Sequence, residues 1–219
     1  MNRNSQFPLI LSVAAFISAP AFADSGSRPD FAIVGVGSLA STDVSGSPAS
    51  MVVNGVTISN LSVTTKAKLG MGAGALMNAH FSPHLGAEVG ALYVTRKFDS
   101  TASFTVSGVP TSTVTTNTLH YVEIPFALRF WLSPHFSIGA GGYYASGLGS
   151  RDFTNAGMKK SDYGALGSAQ IRLPLGSTMG LLVDGRYEYG LANVDTSGFG
   201  NQKYRTLQVM AGVCFGMGK

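Results

Sequence analysis

Cysteine, charge and long apolar runs are all scarce in this sequence, and each shortage excludes something. Cys214 is the only cysteine, so no disulfide forms within the chain and the fold must hold without that staple. Asp, Glu, Lys and Arg make up 12% of the residues, about half the share of an ordinary soluble domain. The formal net charge of +4 is too mild to point to a nucleic-acid partner. Beyond residue 22 no stretch offers the roughly 18 continuous apolar residues of a membrane helix. What the chain does have is 28 glycines and an apolar average, with a mean hydropathy of +0.21. A sequence that is apolar on average but never continuously so suits a membrane-spanning β-barrel, in which only every second residue faces lipid.

The first residues read as an export leader. Arg3 supplies a positive start, Phe7 to Phe22 is almost wholly apolar, and Ala21-Phe22-Ala23 forms a small-residue cleavage site before Asp24. Pro20 and the short length argue against an uncleaved membrane anchor. Residues 1–23 are therefore set apart as a signal peptide, and 24–219 as one barrel domain. Loss of Arg3 lowers the net charge by one.

Phe81-Ser82-Pro83-His84-Leu85 and Leu132-Ser133-Pro134-His135-Phe136 repeat the same turn character about 50 residues apart, each joining two alternating segments. Val122, Ile124, Phe126, Leu128, Phe130 and Leu132 share a face before the second turn, and Phe136, Ile138, Ala140 and Tyr144 continue it afterwards. The opposite face carries Tyr121, Glu123, Arg129, Ser137 and glycines. A hairpin turning through Pro174-Leu175-Gly176-Ser177 behaves likewise, with Gln170, Arg172, Asp184, Arg186 and Glu188 on its inner face. With a first strand near 30–40 and a last from Tyr204 to Met217, the expected fold is all-β: an eight-stranded antiparallel up-and-down transmembrane barrel.

Short turns alternate with long connections at about 41–62, 99–117, 147–161 and 192–203. In outer-membrane barrels the short side is periplasmic, which would leave both termini in the periplasm. Met51-Val52-Val53 and Val56-Thr57-Ile58 flank Asn54-Gly55, a strong hairpin signal, so the first long connection is expected to project as a ribbon. Phe104-Thr105-Val106-Ser107-Gly108 suggests the same for the second. A soluble lipocalin-like barrel would have the opposite polarity, with its apolar face inward.

The run Tyr121-Val122-Glu123-Ile124-Pro125-Phe126-Ala127-Leu128-Arg129-Phe130, followed by Phe136-Ser137-Ile138-Gly139-Ala140-Gly141-Gly142-Tyr143-Tyr144, resembles the middle hairpin of the small outer-membrane β-barrel proteins. These are the OmpA/OmpX-type eight-stranded group and the related outer-membrane protein β-barrel domain family. The resemblance implies a bacterial cell outer membrane location, contact with outer-membrane lipid and lipopolysaccharide, and insertion by the barrel assembly machinery. Such proteins usually end on an aromatic residue, whereas here Phe215 is followed by Gly216-Met217-Gly218-Lys219.

Candidate site residues fall into two sets. Glu88, Glu123, Arg129, Arg172, Asp184, Arg186 and Glu188 are expected in the lumen, which eight strands leave just wide enough for side chains to fill. Charges of both signs at similar depth imply a paired network, with Glu88 and Arg129 the first candidate pair. The alternative use of that network is a narrow ion or small-solute path. Lys66, Lys68, Arg96, Lys97, Arg151, Lys159, Lys160, Lys203 and Arg205 gather towards the long-loop end as a rim, with Asp99, Asp152 and Asp162 interspersed. All but Arg151 are candidate contacts for lipopolysaccharide phosphate. Tyr93, Tyr144, Tyr163, Tyr187 and Tyr189 would form an interfacial girdle.

Some lipid A-modifying barrels of this size use a His-x-Ser pair, and His80-Phe81-Ser82 and His135-Phe136-Ser137 fit that spacing. Both sit at the short-turn end and point inward, away from the outer leaflet. No residue is assigned to catalysis, a cofactor or a metal. The expected role is structural or interactive, namely membrane integrity or adhesion through the long loops to a surface partner. Intact-mass measurement of the exported protein is expected to give a chain starting at Asp24; a species retaining residues 1–23 would contradict the leader.

Overall fold

In a computed structural model, residues 29–216 are described apart from 46–49, 54–55, 107 and 197–200. The expected leader, the Asn54-Gly55 turn and the end from Met217 to Lys219 lie outside the described residues. The chain forms nine strands: β1 (Asp30–Ser45), β2 (Ser50–Val53), β3 (Val56–His80), β4 (Leu85–Val106), β5 (Val109–Ser133), β6 (Phe136–Leu148), β7 (Ser161–Pro174), β8 (Met179–Gly190) and β9 (Asn201–Phe215). A short helix, α1 (Arg151–Ala156), lies between β6 and β7.

All pairings are antiparallel between sequence neighbours except two, β1 with β9 and β1 with β3. The β1–β3 ladder, from Asp30 opposite Asn78 to Leu39 opposite Leu69, completes the ring. Eight strands make the barrel. The ninth, β2, is the ribbon expected from the Asn-Gly signal, and it pairs only with β3.

Alternation sets the polarity of the wall. Ile33 is 66% exposed and its neighbour Val34 only 2%, and exposed and buried residues alternate without interruption along β8. The outward set, including Phe126, Leu128, Phe130, Leu181 and Val209, is bulky and apolar. The buried charges all point inward, and beside them Ala32, Val34, Val36, Leu76, Leu92, Val94, Leu182, Met210 and Cys214 pack an apolar patch that runs from β8 through β9, β1 and β3 to β4. No helix among the described residues is long and apolar enough to cross a membrane. The crossing elements are strands.

Strand lengths divide the barrel. β6, β7 and β8 have 13, 14 and 12 residues, close to the roughly 9–11 that cross a bilayer at a tilt. β3, β4 and β5 have 25, 22 and 25, so they continue past the membrane as a projecting blade with β2 on one edge. The connection at 99–117 is the second projecting ribbon that Phe104 to Gly108 suggested, paired strand that runs to Val106 opposite Val109. Ser and Thr gave it a loop-like composition, but β-branched Thr and Val favour extended backbone. Gly108, at φ +84°, turns it.

Two glycines let β3 cross close to β4 where the register shifts between Lys68 and Gly72. A Cβ at Gly70 would stand 1.8 Å from the Thr95 carbonyl oxygen, and one at Gly72 2.0 Å from that of Tyr93. Backbone cannot retreat as a side-chain tip can. Gly70→Val is expected to cost about 1–3 kcal/mol in urea unfolding from lipid vesicles, whereas Gly167→Val, whose Cβ meets nothing within 4 Å, should be near neutral. Equal effects would contradict this account of the crossing.

Candidate functional site

Inward phase on β4, β5 and β8 brings four charges to one height at the centre of the barrel. Arg129 Nε donates to Glu88 at 2.8 Å, and Arg186 Nε donates to Asp184 at 3.1 Å. The ring closes through Arg129 to Asp184 and Arg186 to Glu88. Each carboxylate thus serves both guanidiniums, and the four residues alternate in sign. Gln170 Nε2 donates to Asp184 at 3.1 Å and to Glu88 at 3.4 Å.

Below it, towards the short turns, Arg172 binds Asp30 and donates from Nε to Gln170 Oε1 at 2.9 Å. The guanidinium lies 4.4 Å from the centre of the Trp131 ring, a cation–π contact. With its amide nitrogen turned to Glu88 (3.3 Å) and its oxygen to Arg172 (3.0 Å), Asn78 joins the two levels.

Above the ring stands Arg96, and here the rim assignment is corrected. Arg96 is fully buried and bonded to Asp162 at 2.6 Å, Glu123 at 3.1 Å and Glu188 at 3.3 Å. Gln208 Nε2 bridges Glu123 (3.0 Å) and Glu188 (2.9 Å). The Tyr121 and Tyr204 rings flank the guanidinium at 4.7 and 4.6 Å. Asp162, expected at the rim, is likewise inside, where it also accepts from the Tyr143 hydroxyl at 2.9 Å. The reason is phase: even-numbered residues of β4 point inward, and the strand continues past the level at which a rim would begin.

The mouth is closed over Arg96. Phe153 of α1 drops in against Tyr121, ring centres 5.2 Å apart, and joins Phe98, Leu119, Met158 and Val194 in a buried cluster. The Tyr204 hydroxyl bonds Met158 Sδ at 2.9 Å.

The His-x-Ser pairs do not assemble a nucleophile with its base. Ser82 Oγ accepts from the backbone N–H of His84 and Leu85, capping the turn, and His80 Nε2 bonds Asp30 at 2.9 Å. Ser137 Oγ accepts from Arg129 inside the barrel, and Ser133 caps the turn at His135. A Ser–His hydrogen bond is the first requirement of that chemistry. Among the described residues no group of three or more His, Cys, Asp or Glu is arranged for a metal ion.

On the outer face the five expected girdle tyrosines are all exposed. Above the apolar band Lys68 pairs with Asp99 at 2.8 Å and Arg205 with Asp43 at 2.9 Å. The Lys68 ammonium and the Thr116 hydroxyl, both donating to Asp99, hold its carboxyl below the usual carboxylate range. On the blade, at a bulge where Asn60 adopts φ 55°, a shallow concavity of about 310 Å³ is lined by Asn60, Phe104, Pro110 and Thr111.

A family model for the outer membrane protein beta-barrel domain matches residues 22–196. The chain belongs to that family. It is an outer-membrane protein whose strands cross the bilayer. Among solved structures, the outer membrane protein OprG from Pseudomonas aeruginosa is similar with a TM-score of 0.47 and 13% identity, over 86% of this chain and 96% of that one. Ail, the attachment invasion locus protein of Yersinia pestis, solved in complex with the heparin analogue sucrose octasulfate, gives 0.41 and 14%, over 86% and 99%. AlkL, solved by solid-state NMR in DMPC lipid bilayers, gives 0.39 and 12%, over 98% and 96%. No curated protein matches the sequence.

This outer-membrane barrel brings all seven expected lumen residues inside, together with Asp30, Gln208 and Tyr204, which the sequence left unassigned, and Arg96 and Asp162, which it placed at the rim; Tyr121 and Tyr143 are inside as their strand phase required. Removing one member of a buried charge ring strands its partners without water, at a cost of about 3–5 kcal/mol. Asp184→Leu is expected to lower the unfolding free energy by that amount in urea titrations from vesicles, and Asp184→Leu with Arg186→Leu to recover part of it. A single-variant loss below about 1 kcal/mol, the range of exposed pairs, would contradict the network.

Proposed function

We propose that this outer-membrane barrel is a non-catalytic surface-interaction platform, a sealed scaffold that holds a Ser/Thr-rich blade outside the cell. The extension of β3, β4 and β5 about a dozen residues beyond what a bilayer needs carries this reading. Extra paired strand of that length has no role inside a membrane.

The orientation follows from the same asymmetry. The short turns at 82–84, 133–135 and 175–178 share one end with Asp30 and Gly216, and the blade rises from the other. Long elements of such barrels lie outside the cell, so both termini are assigned to the periplasm.

The blade is suited to contact. Val109 to Thr116 is exposed throughout, and β5 meets β6 only from His120 opposite Leu148 downwards. The upper part of β5 therefore presents an open edge of backbone donors and acceptors, on which an extended segment of a partner can add as a further strand. Pro110 and the many hydroxyls temper its tendency to self-associate.

Replacing residues 100–115 with an Asn-Gly turn in cells displaying the full chain should leave the heat-dependent gel shift of the folded barrel intact. It should also remove adherence to host-cell monolayers and cell–cell aggregation. Unchanged adherence and aggregation would contradict the platform.

A further inference from the structure

The structure divides the basic residues that the sequence grouped as one rim. Arg96 is inside the barrel, and two lysines are committed to holding loops: Lys159 Nζ bonds the Asn193 carbonyl at 3.0 Å and Lys160 Nζ the Ser150 hydroxyl at 2.8 Å. Arg151 stands on α1 between β6 and β7, and five remain on the barrel strands, Lys66 and Lys68 on β3, Lys97 on β4, and Lys203 and Arg205 on β9.

They form one belt on one side of the barrel. Lys68 stands directly opposite Lys97, Lys66 opposite Asp99, Asp43 opposite Lys203 and Ser41 opposite Arg205. Opposed residues of antiparallel strands share a face, and the exposure of Leu39 and Leu207 in phase with Ser41 and Arg205, and of Tyr93 in phase with Lys97, marks it as the outer one; the register shift after Lys68 turns Leu69 outward as well. β1 links the two halves, since its Thr42 N–H donates to Thr65 Oγ1 of β3 at 3.0 Å.

Five cations here meet two carboxylates, and both are already engaged, Asp99 by Lys68 and Asp43 by Arg205. Among the described residues the Lys66, Lys97 and Lys203 ammonium groups have no ion-pair partner. Lysines opposed across a ladder repel one another unless an anion lies between them. Arg205 is also stacked on the exposed Tyr189 ring, 3.6 Å from its centre, and its Nη1 donates to the Gly190 and Tyr204 carbonyls at 3.2 and 2.9 Å, which fixes the guanidinium, with Nη2 as its remaining donor, at the level where apolar surface ends. At matching height β6 and β7 present Ser146, Leu148, Ser161 and Tyr163, none of them basic.

We propose that the outer face of β9, β1, β3 and β4 binds the phosphates of an anionic lipid of the outer leaflet, of the lipopolysaccharide type. Lys66, Lys68, Lys97, Lys203 and Arg205 hold the headgroup, and the leucines beneath them take the acyl chains. The leaflet assignment rests on the orientation argued above. An apolar shelf directly under the cations is what a lipid requires and a soluble anion does not.

The test uses the purified full chain in neutral detergent, with native mass spectrometry reading bound bis-phosphorylated lipid A against the same lipid with both phosphates removed. The phosphorylated form should bind about tenfold more tightly, with the advantage shrinking as salt rises. Lys66→Gln, Lys97→Gln and Lys203→Gln together should abolish the preference, whereas Lys159→Gln with Lys160→Gln should keep it. If the triple variant loses its heat-dependent gel shift, Lys97→Gln alone serves, with a loss of about threefold. Equal binding of the two lipids, or a preference untouched by these changes, would overturn the proposal. So would a stable complex with inorganic phosphate alone, which would make the site one for soluble anions. Labelling of Thr113→Cys in intact cells by an impermeant maleimide is expected, and its failure would overturn the orientation and the leaflet assignment while leaving the phosphate preference measured in detergent.

Discussion

Arg129 and Arg186 each bond both Glu88 and Asp184, and this closed square of alternating charge answers the constraint under which the whole barrel is built. Lipid requires one face of every strand to be apolar, and closure turns the other face into a lumen that eight strands make too narrow for free water. Charges placed there must satisfy one another. Six buried carboxylates on the strands meet four buried guanidiniums. Gln170, Gln208 and the Tyr143 hydroxyl take up part of the surplus acceptor capacity. Cation–π contacts hold the terminal arginines in place: Arg172 against Trp131 below, and Arg96 between Tyr121 and Tyr204 above.

Sealing the interior moves function outward. On the proposed platform reading, a lumen packed with arginine-centred levels and capped by Phe153 leaves the blade and the outer wall as the surfaces that interact. Rigidity at the centre is what makes both useful, because contacts carried on long elements gain precision from a fixed base. The blade inherits its direction from the β4–β5 ladder, which keeps one register from Leu85 opposite Phe130 to Val106 opposite Val109. The belt inherits its height from the apolar band beneath it.

Much of this was legible in the sequence, and the limits have physical reasons. Period-two alternation identified the two faces of β5 to β8, because a strand's phase cannot change without a bulge. The pairing of Glu88 with Arg129 followed from their equal distance above neighbouring turns. Arg96 was misplaced although its phase pointed inward, since distance from the turn was taken as height at the rim while β4 ran on; Asp162, the second residue of β7, lies inside because it pairs with Arg96 beneath the cluster at the mouth. Contacts across the lumen, such as Asp30 with Arg172, 142 positions apart in sequence, depend on the stagger of the closed sheet, which no local pattern records. The six-residue helix α1 is too short for a helical period to show. Phe153 therefore gave no sign that it would plug the mouth.

The measurement that bears most directly on the sealed lumen is single-channel recording in planar bilayers with the full-length mature protein. The charge square predicts no resolved conductance steps in the unaltered barrel, and their appearance when Glu88 and Asp184 are both replaced by alanine. Steady ohmic steps from the unaltered protein would contradict it, and would return the lumen to the reading of an ion or small-solute path.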